Sequence, residues 1–356
     1  MAEAEGTEPD RFRDAPHPRH RFGLVGQAAA EQAFLRAWTS GRLPHTWLVG
    51  GPQGIGKATL AYRIARFVLA GGRGDTLDVA PDHPAARQVA ALSHPNLAVL
   101  RRPPAQDGKA SPLAIPVEAV RRATALFTAT AADAGHRVCI VDSAEDLGVA
   151  GANALLKVIE EPPPRSLFLI VSHFPARVLP TIRSRCRGLA LRRLDPAEVE
   201  AAIRSLGPPS AGLPAAQVSA ALAEADGSVR RALEALDGDG IALRAEVSAL
   251  LDALPRLDHA RVMALAEGVV RRGAEERFEL VLDTVLAWAS RRLHTQAGGG
   301  ARRLAPLALL CDRAARQAGE AAAFNLDRRP LVLALFGDLA AAVGEAGPAR
   351  GPAGEG

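Results

Sequence analysis

Up to about position 195 the apolar residues fall in short unbroken runs; beyond it they recur every third or fourth residue. The runs are Trp47-Leu-Val49, Leu97-Ala-Val-Leu100, Val138-Cys-Ile-Val141 and Leu167-Phe-Leu-Ile-Val171, with a shorter one at 189–191. Runs of this length predict strands buried on both faces of a parallel sheet. Helical spacing lies between them: Ala33, Phe34, Leu35 and Trp38; then Leu60, Ile64, Phe67 and Val68. It returns over 115–128, with Pro116 in the first turn, over 150–161, stopped by Pro162-Pro-Pro164, and briefly over 181–186. Strands alternating with helices predict βαβ units. Residues 70–112, rich in Gly, Pro, Asp and Ala, read as loop around the strand at 97–100.

The pattern changes at Asp195. Asp195-Pro-Ala-Glu198 supplies an acidic cap, a proline at the first helical position and a glutamate two residues further on. Helices follow over 199–206, 217–225 and, after Gly227-Ser228, 229–236. Beyond Asp237-Gly-Asp-Gly240 the apolar positions Leu250, Leu251, Val262, Leu265, Phe278, Val281, Leu282, Leu286 and Trp288 keep the helical period. A break at Gly298-Gly-Gly300 precedes a last helix over 330–343. This half reads as a helix bundle.

Composition narrows the setting. The chain of 356 residues has 43 basic and 39 acidic side chains, a net charge of +4, and only Lys57, Lys109 and Lys157 as lysines. The arginines are scattered, so nothing reads as a dedicated DNA-binding arm. Three distant cysteines, Cys139, Cys186 and Cys311, argue for a reducing compartment and against a cysteine zinc site. The segment 1–21 lacks an apolar core of the signal-peptide kind, and no apolar run reaches the roughly 20 residues of a membrane span; the expected location is the cytoplasm. Asp82, His83 and His94 lie beside prolines without further ligands at metal spacing, and read as surface-loop residues.

The chemistry centres on Gly51-Pro-Gln-Gly-Ile-Gly-Lys57. A strand, a glycine turn (Gly51, Gly54, Gly56) and a helix opening at Lys57 are the parts of a phosphate-binding loop. The next position, which ordinarily supplies a hydroxyl to Mg2+, is Ala58, and Thr59 lies about 100° further round the helix. Asp142 ends an apolar strand, where an open α/β sheet binds its ligands. Ser143 follows it and cannot take a proton from water as a carboxylate can; Glu145 and Asp146 leave a shifted base open.

Together with Val25-Gly-Gln27, Arg42-Leu-Pro-His45, Asn153-Ala-Leu-Leu-Lys157, Glu160-Glu-Pro-Pro163 and Ser184-Arg-Cys186, these motifs resemble the clamp-loader branch of the AAA+ proteins. The resemblance implies a mixed α/β and all-α chain. Its parts are a disordered lead-in at 1–20, a parallel-sheet phosphate-loop domain at 21–193, a helical lid at 194–240, a helical collar for oligomerisation at 241–343 and a flexible tail at 344–356. It makes Arg185 an arginine finger, reaching the γ-phosphate held by a neighbouring subunit. Gly51, Gly54, Gly56, Lys57, Thr59, Asp142, Ser172 (at the sensor position) and Arg230 (the lid arginine) become the nucleotide site. Ala58 and Ser143 mark that site as degenerate, with ATP held weakly and not hydrolysed. The cysteine module that carries zinc in many relatives has no counterpart at 70–100, so neither zinc nor another metal is expected. The implied partners are gamma/tau-type ATPase and delta-type subunits in a hetero-pentamer and, through it, a sliding clamp and primer-template DNA, as an accessory part of a DNA-directed DNA polymerase (nucleotidyltransferase) holoenzyme. An ATP-hydrolysing motor subunit is the alternative favoured by Lys57, Asp142 and Arg230; a small-molecule phosphotransferase is opposed by the helical C-terminal part and by Ser184-Arg-Cys186.

Overall fold

The structure is a computed structural model. It describes residues 8, 11–12, 15–104, 114–128, 135–208, 210–236, 238–270, 275–295, 309–310, 313–314, 317, 321 and 326–345. The chain divides into two compact units, Met1–Leu236 and Asp237–Gly356.

The first unit holds a parallel five-stranded sheet in the order β2-β3-β4-β1-β5: β1 Thr46–Gly50, β2 Leu97–Arg101, β3 Arg137–Asp142, β4 Ser166–Ser172 and β5 Arg187–Ala190. Period-two alternation sends side chains to two cores. Trp47, Val49, Val138, Ile140, Leu167, Leu169 and Val171 pack against α1 (Ala28–Thr39) and α2 (Lys57–Leu69). Leu48, Cys139, Val141, Phe168 and Ile170 belong to the other cluster, with residues of α4 (Val117–Thr128), α5 (Val149–Glu160) and α6 (Pro180–Arg183). Both faces are covered, which is why these strands read as unbroken apolar runs.

Two expectations need correcting. The stretch 70–112 contains a helix, α3 (Pro84–Ala90), whose Ala85, Ala86 and Val89 are buried. His83 caps it, its Nδ1 accepting from the Ala85 N–H at 3.2 Å, while His94 Nδ1 accepts from Asn96 N–H at 3.1 Å. These rings organise backbone. The preceding segment is pinned by buried Leu77 and by Arg63, which pairs with Glu31 at 2.7 Å and Asp78 at 2.9 Å.

The second correction concerns the lead-in. Residues 15–20 are structured: Pro18–His20 form a 3-10 turn and His17 is buried. The cause is Arg66, 1% exposed, on α2. A buried guanidinium needs acceptors, and it finds them in the carbonyls of Arg19 (2.8 Å) and Arg21. The earlier part of the lead-in lies almost wholly outside the described residues, as does the tail from 346.

Three short helices complete the first unit: α7 (Pro196–Arg204), α8 (Ala215–Ala225) and α9 (Val229–Leu236). Leu194, Val199, Ile203, Ala221, Ala225 and Ala232 form their core. The reciprocal Asp195–Glu198 cap is present, with Glu198 N–H on Asp195 Oδ1 at 2.8 Å and Asp195 N–H on Glu198 Oε2 at 2.9 Å. In the second unit, α10 (Gly238–Asp252), α11 (His259–Gly268), α12 (Glu275–Thr295) and α13 (Arg329–Glu345) enclose Val247, Leu250, Val262, Leu265, Val281, Val285, Phe336 and Leu339. Among the described residues no helix is long and apolar enough to cross a membrane. The glycine break at 298–300 lies outside them.

Replacing Arg66 with Met keeps the aliphatic stem and strips the lead-in of its donors. The variant is expected to lose about 2–4 kcal/mol of unfolding free energy. Urea titration measures the loss, and limited proteolysis should show new cleavage around residues 15–21.

Candidate functional site

Sheet register builds the site. Gly50 at the end of β1 lies level with Ser172 at the end of β4, and Val141, one residue short of Asp142, lies level with Ile170. The loop, Asp142 and Ser172 therefore share one edge, the carboxyl ends of the strands.

The loop turns through three glycines in the left-handed half of backbone space: Gly51 (φ 145°), Gly54 (φ 75°) and Gly56 (φ 96°). At Gly54 space forbids a side chain as firmly as φ does. A Cβ there would meet Ser228 Oγ at 2.3 Å and Arg230 Cβ at 2.5 Å. The start of α9 sits on the loop, with Val229 N–H donating to Gly54 O at 2.9 Å. A second tie comes from Gln27, buried behind the loop. Its Nε2 donates to Ile55 O at 3.2 Å and Arg192 O at 2.9 Å, and its Oε1 accepts from Arg192 N–H at 3.3 Å. One side chain thus fastens the loop to the connection between β5 and α7.

Lys57 opens α2 and is 3% exposed, its Nζ donating to Pro52 O. Burial lowers its pKa from 10.5 to about 7, against the opposing pull of Asp142 and Glu145. Ala58 and Thr59 follow in the first turn of α2; the Ala58 side chain has no hydroxyl to offer a metal.

Glu145 is the residue that the motif reading underrated. The 3-10 turn Ala144–Asp146 brings its carboxylate to the end of β4, where Oε1 accepts from Ser172 Oγ (2.5 Å), His173 N–H (3.0 Å) and Phe174 N–H (2.9 Å). The hydroxyl of Ser172 is thereby turned onto a carboxylate of its own chain. The available signal was Ser143-Ala-Glu-Asp146, a serine with an acid three residues on: Asp146 Oδ2 accepts from Ser143 Oγ at 3.3 Å and closes the turn that aims Glu145. Burial pushes Asp146 up to about 6, opposed by Arg102 at 3.6 Å. Burial and the positive Lys57, Arg230 and Arg102 hold the His173 pKa well below its usual range.

Arg230 joins this edge from α9. Its Nε donates to buried Glu234 at 3.0 Å, and the Phe12 ring lies 5.2 Å from the guanidinium carbon. Arg185 stands apart. It precedes β5, whose Arg187 lies level with Trp47, towards the start of β1 and away from the loop. Its side chain is 41% exposed. The structure thus brings Gly51, Gly54, Gly56, Lys57, Asp142, Ser172 and Arg230 to one edge, and Arg185 to another. Among the described residues no group of three or more His, Cys, Asp or Glu is placed to hold a metal.

A loop on β1, an acid on β3 and, between them, a β4 ending in a polar side chain is the arrangement of a parallel-sheet phosphate-loop domain. Within that class, residues 26–195 match the family described as DNA polymerase III, delta subunit. The chain is 37% identical over 142 residues to DNA polymerase III subunit delta' of Pseudomonas aeruginosa, covering 40% of this chain and 41% of that protein. It is 31% identical over 178 residues to DNA polymerase III subunit gamma/tau of Mycobacterium tuberculosis, covering 50% of this chain and 29% of that one. The chain spans about two-fifths of the length of the delta-prime relatives it matches. The RuvB Holliday junction branch migration motor of Thermotoga maritima superimposes with a TM-score of 0.39 at 18% identity, over 76% of this chain and 80% of that one. That superposition is loose, and the fold assignment rests on the sheet.

The depressed Lys57 fixes a pH dependence. Between about pH 7 and 10.5 the unfolded chain binds a proton at Lys57 that the folded chain does not, so stability rises with pH in that window. Relative to a Lys57→Met variant, the wild type is expected to gain roughly 1–4 kcal/mol from pH 7 to pH 10. Paired denaturant titrations at several pH values measure the difference.

Proposed function

We propose that the chain is a non-hydrolysing, delta-prime-like subunit of a DNA polymerase III clamp loader. It would work in the cytoplasm, helping to place a sliding clamp on primed DNA for the polymerase (nucleotidyltransferase) holoenzyme. Its partners would be gamma/tau-type ATPase and delta-type subunits in a hetero-pentamer held together by the collar helices. One observation carries the reading. The edge built for phosphate lacks both the metal hydroxyl (Ala58) and the adjacent base (Ser143), while a partly exposed arginine, Arg185, stands outside that edge. A guanidinium is permanently charged and suited to charge spread over phosphate oxygens. Arg185 is the arginine finger in this reading, and the chain promotes hydrolysis on its neighbour.

A second reading, that the chain hydrolyses ATP itself, gains one observation beyond Lys57, Asp142 and Arg230: Glu145 brings a carboxylate near Lys57. Against it, Ser143 rather than an acid directly follows Asp142, and Glu145 is held on the end of β4 by three hydrogen bonds to its Oε1.

Two measurements test the proposal. In a reconstituted loader with clamp and primed DNA, Arg185→Ala should lower ATP turnover at least about tenfold. Size exclusion should show the complex intact, and the isolated chain should not hydrolyse ATP. Unchanged turnover, or hydrolysis by the isolated chain, overturns the reading. Isothermal titration of the isolated chain should find ATP binding weak and indifferent to Mg2+; tight Mg2+-dependent binding would contradict a degenerate loop.

A further inference from the structure

The ion pair that Arg185 makes within its own chain has a role in the finger reading, on which this inference rests. The guanidinium is engaged at two nitrogens. Nη2 lies 2.9 Å from Glu160 Oε1, and Nη1 donates to Thr181 O at 2.9 Å and to Ser184 Oγ at 3.4 Å. The Thr181 and Ser184 contacts come from the turn that carries Arg185 and travel with it. The Glu160 contact comes from elsewhere, the last residue of α5.

That helix end is fixed independently. His45, which precedes β1, has its Nε2 3.1 Å from Ile159 O, the carbonyl next to Glu160. Arg187, two residues after Arg185, lies with its guanidinium 5.3 Å from the Trp47 ring and pairs in register with Trp47. Glu160 and the base of Arg185 are thus both referred to the start of β1, and the ion pair spans two anchored points.

We propose that Glu160 is a positioning residue that parks Arg185, and that the finger reaches a neighbour's phosphate only by exchanging this carboxylate for phosphate oxygens. An arginine grips an oxyanion through its forked terminal nitrogens, and here one prong is on Glu160 and the other on Thr181. The exchange is cheap. Both side chains are exposed to a similar degree, 41% for Arg185 and 42% for Glu160, and exposed ion pairs are weak. A phosphate bearing more charge displaces the carboxylate, and in the absence of phosphate the guanidinium returns to it.

The test is ATP turnover by the reconstituted full complex carrying Glu160→Gln, which preserves shape and removes charge. With the competitor neutralised, turnover under limiting ATP is expected to rise about two- to fivefold at low salt. The gain should shrink as salt approaches about 0.5 M, because the wild-type pair is itself screened. Glu161→Gln, a neighbouring exposed glutamate, is the control and should give no gain. Melting temperature and size exclusion confirm that both variants assemble. Turnover that is unchanged or lower in Glu160→Gln, or an equal rise in Glu161→Gln, overturns the parking role. Arg185→Ala is assayed alongside: if it leaves turnover unchanged, the finger reading fails with it, whereas a large loss combined with no gain in Glu160→Gln overturns the parking role alone. A structural role for Glu160 would lower stability or assembly and would not raise turnover.

Discussion

The parallel register of β1, β3 and β4 is the constraint on which the first unit depends. Each strand is buried on both faces, so a one-residue slip of any of them would turn apolar side chains out of one core and into the other. The same register sets Gly50, Ser172 and Asp142 along one edge. The positions of the chemical groups follow from hydrophobic packing that has no chemical role of its own.

Along that edge the polar groups find partners within the chain. Glu145 takes the hydrogen bond of Ser172, Pro52 takes that of Lys57, and the start of α9 closes on Gly54. Each contact satisfies a polar group that would otherwise be buried without a partner, a cost of about 1–3 kcal/mol apiece.

Much of this was legible in the sequence because the strands are fully apolar and the glycine loop has a fixed spacing. β3 spans the residues that its run of Val138, Cys139, Ile140 and Val141 defines, ending at Asp142. The Asp195 cap was readable for the same reason, since both partners lie within one turn. What escaped notice depends on contacts distant in sequence or on weak local signals. Helix α3 is only seven residues long and sits among prolines and glycines. The order of residues 15–20 comes from Arg66, some 47 positions away in its contact with Arg19, and nothing in the lead-in itself announces it. Gln27 was visible as part of a motif, but its grip on both Ile55 and Arg192 required β5 to lie beside β1. Glu145 was weighed against the position directly after Asp142, while the 3-10 turn moved the useful carboxylate two residues on.

The pairing of β5 with β1 has one more consequence. Trp47 lies level with Arg187, and Gly50 with Ala190. Arg185 comes before the first of these pairs and the glycine loop after the last, so the length of the paired strands, about 3.3 Å per residue, separates the two. An arginine side chain cannot cover that distance while the ladder holds. Any loop-bound phosphate that Arg185 meets therefore belongs to another molecule. In the proposed function mass action would govern what this guanidinium contributes: it would vanish on dilution below the dissociation constant of the proposed assembly and return as subunits are added, with the fold of each chain unchanged throughout.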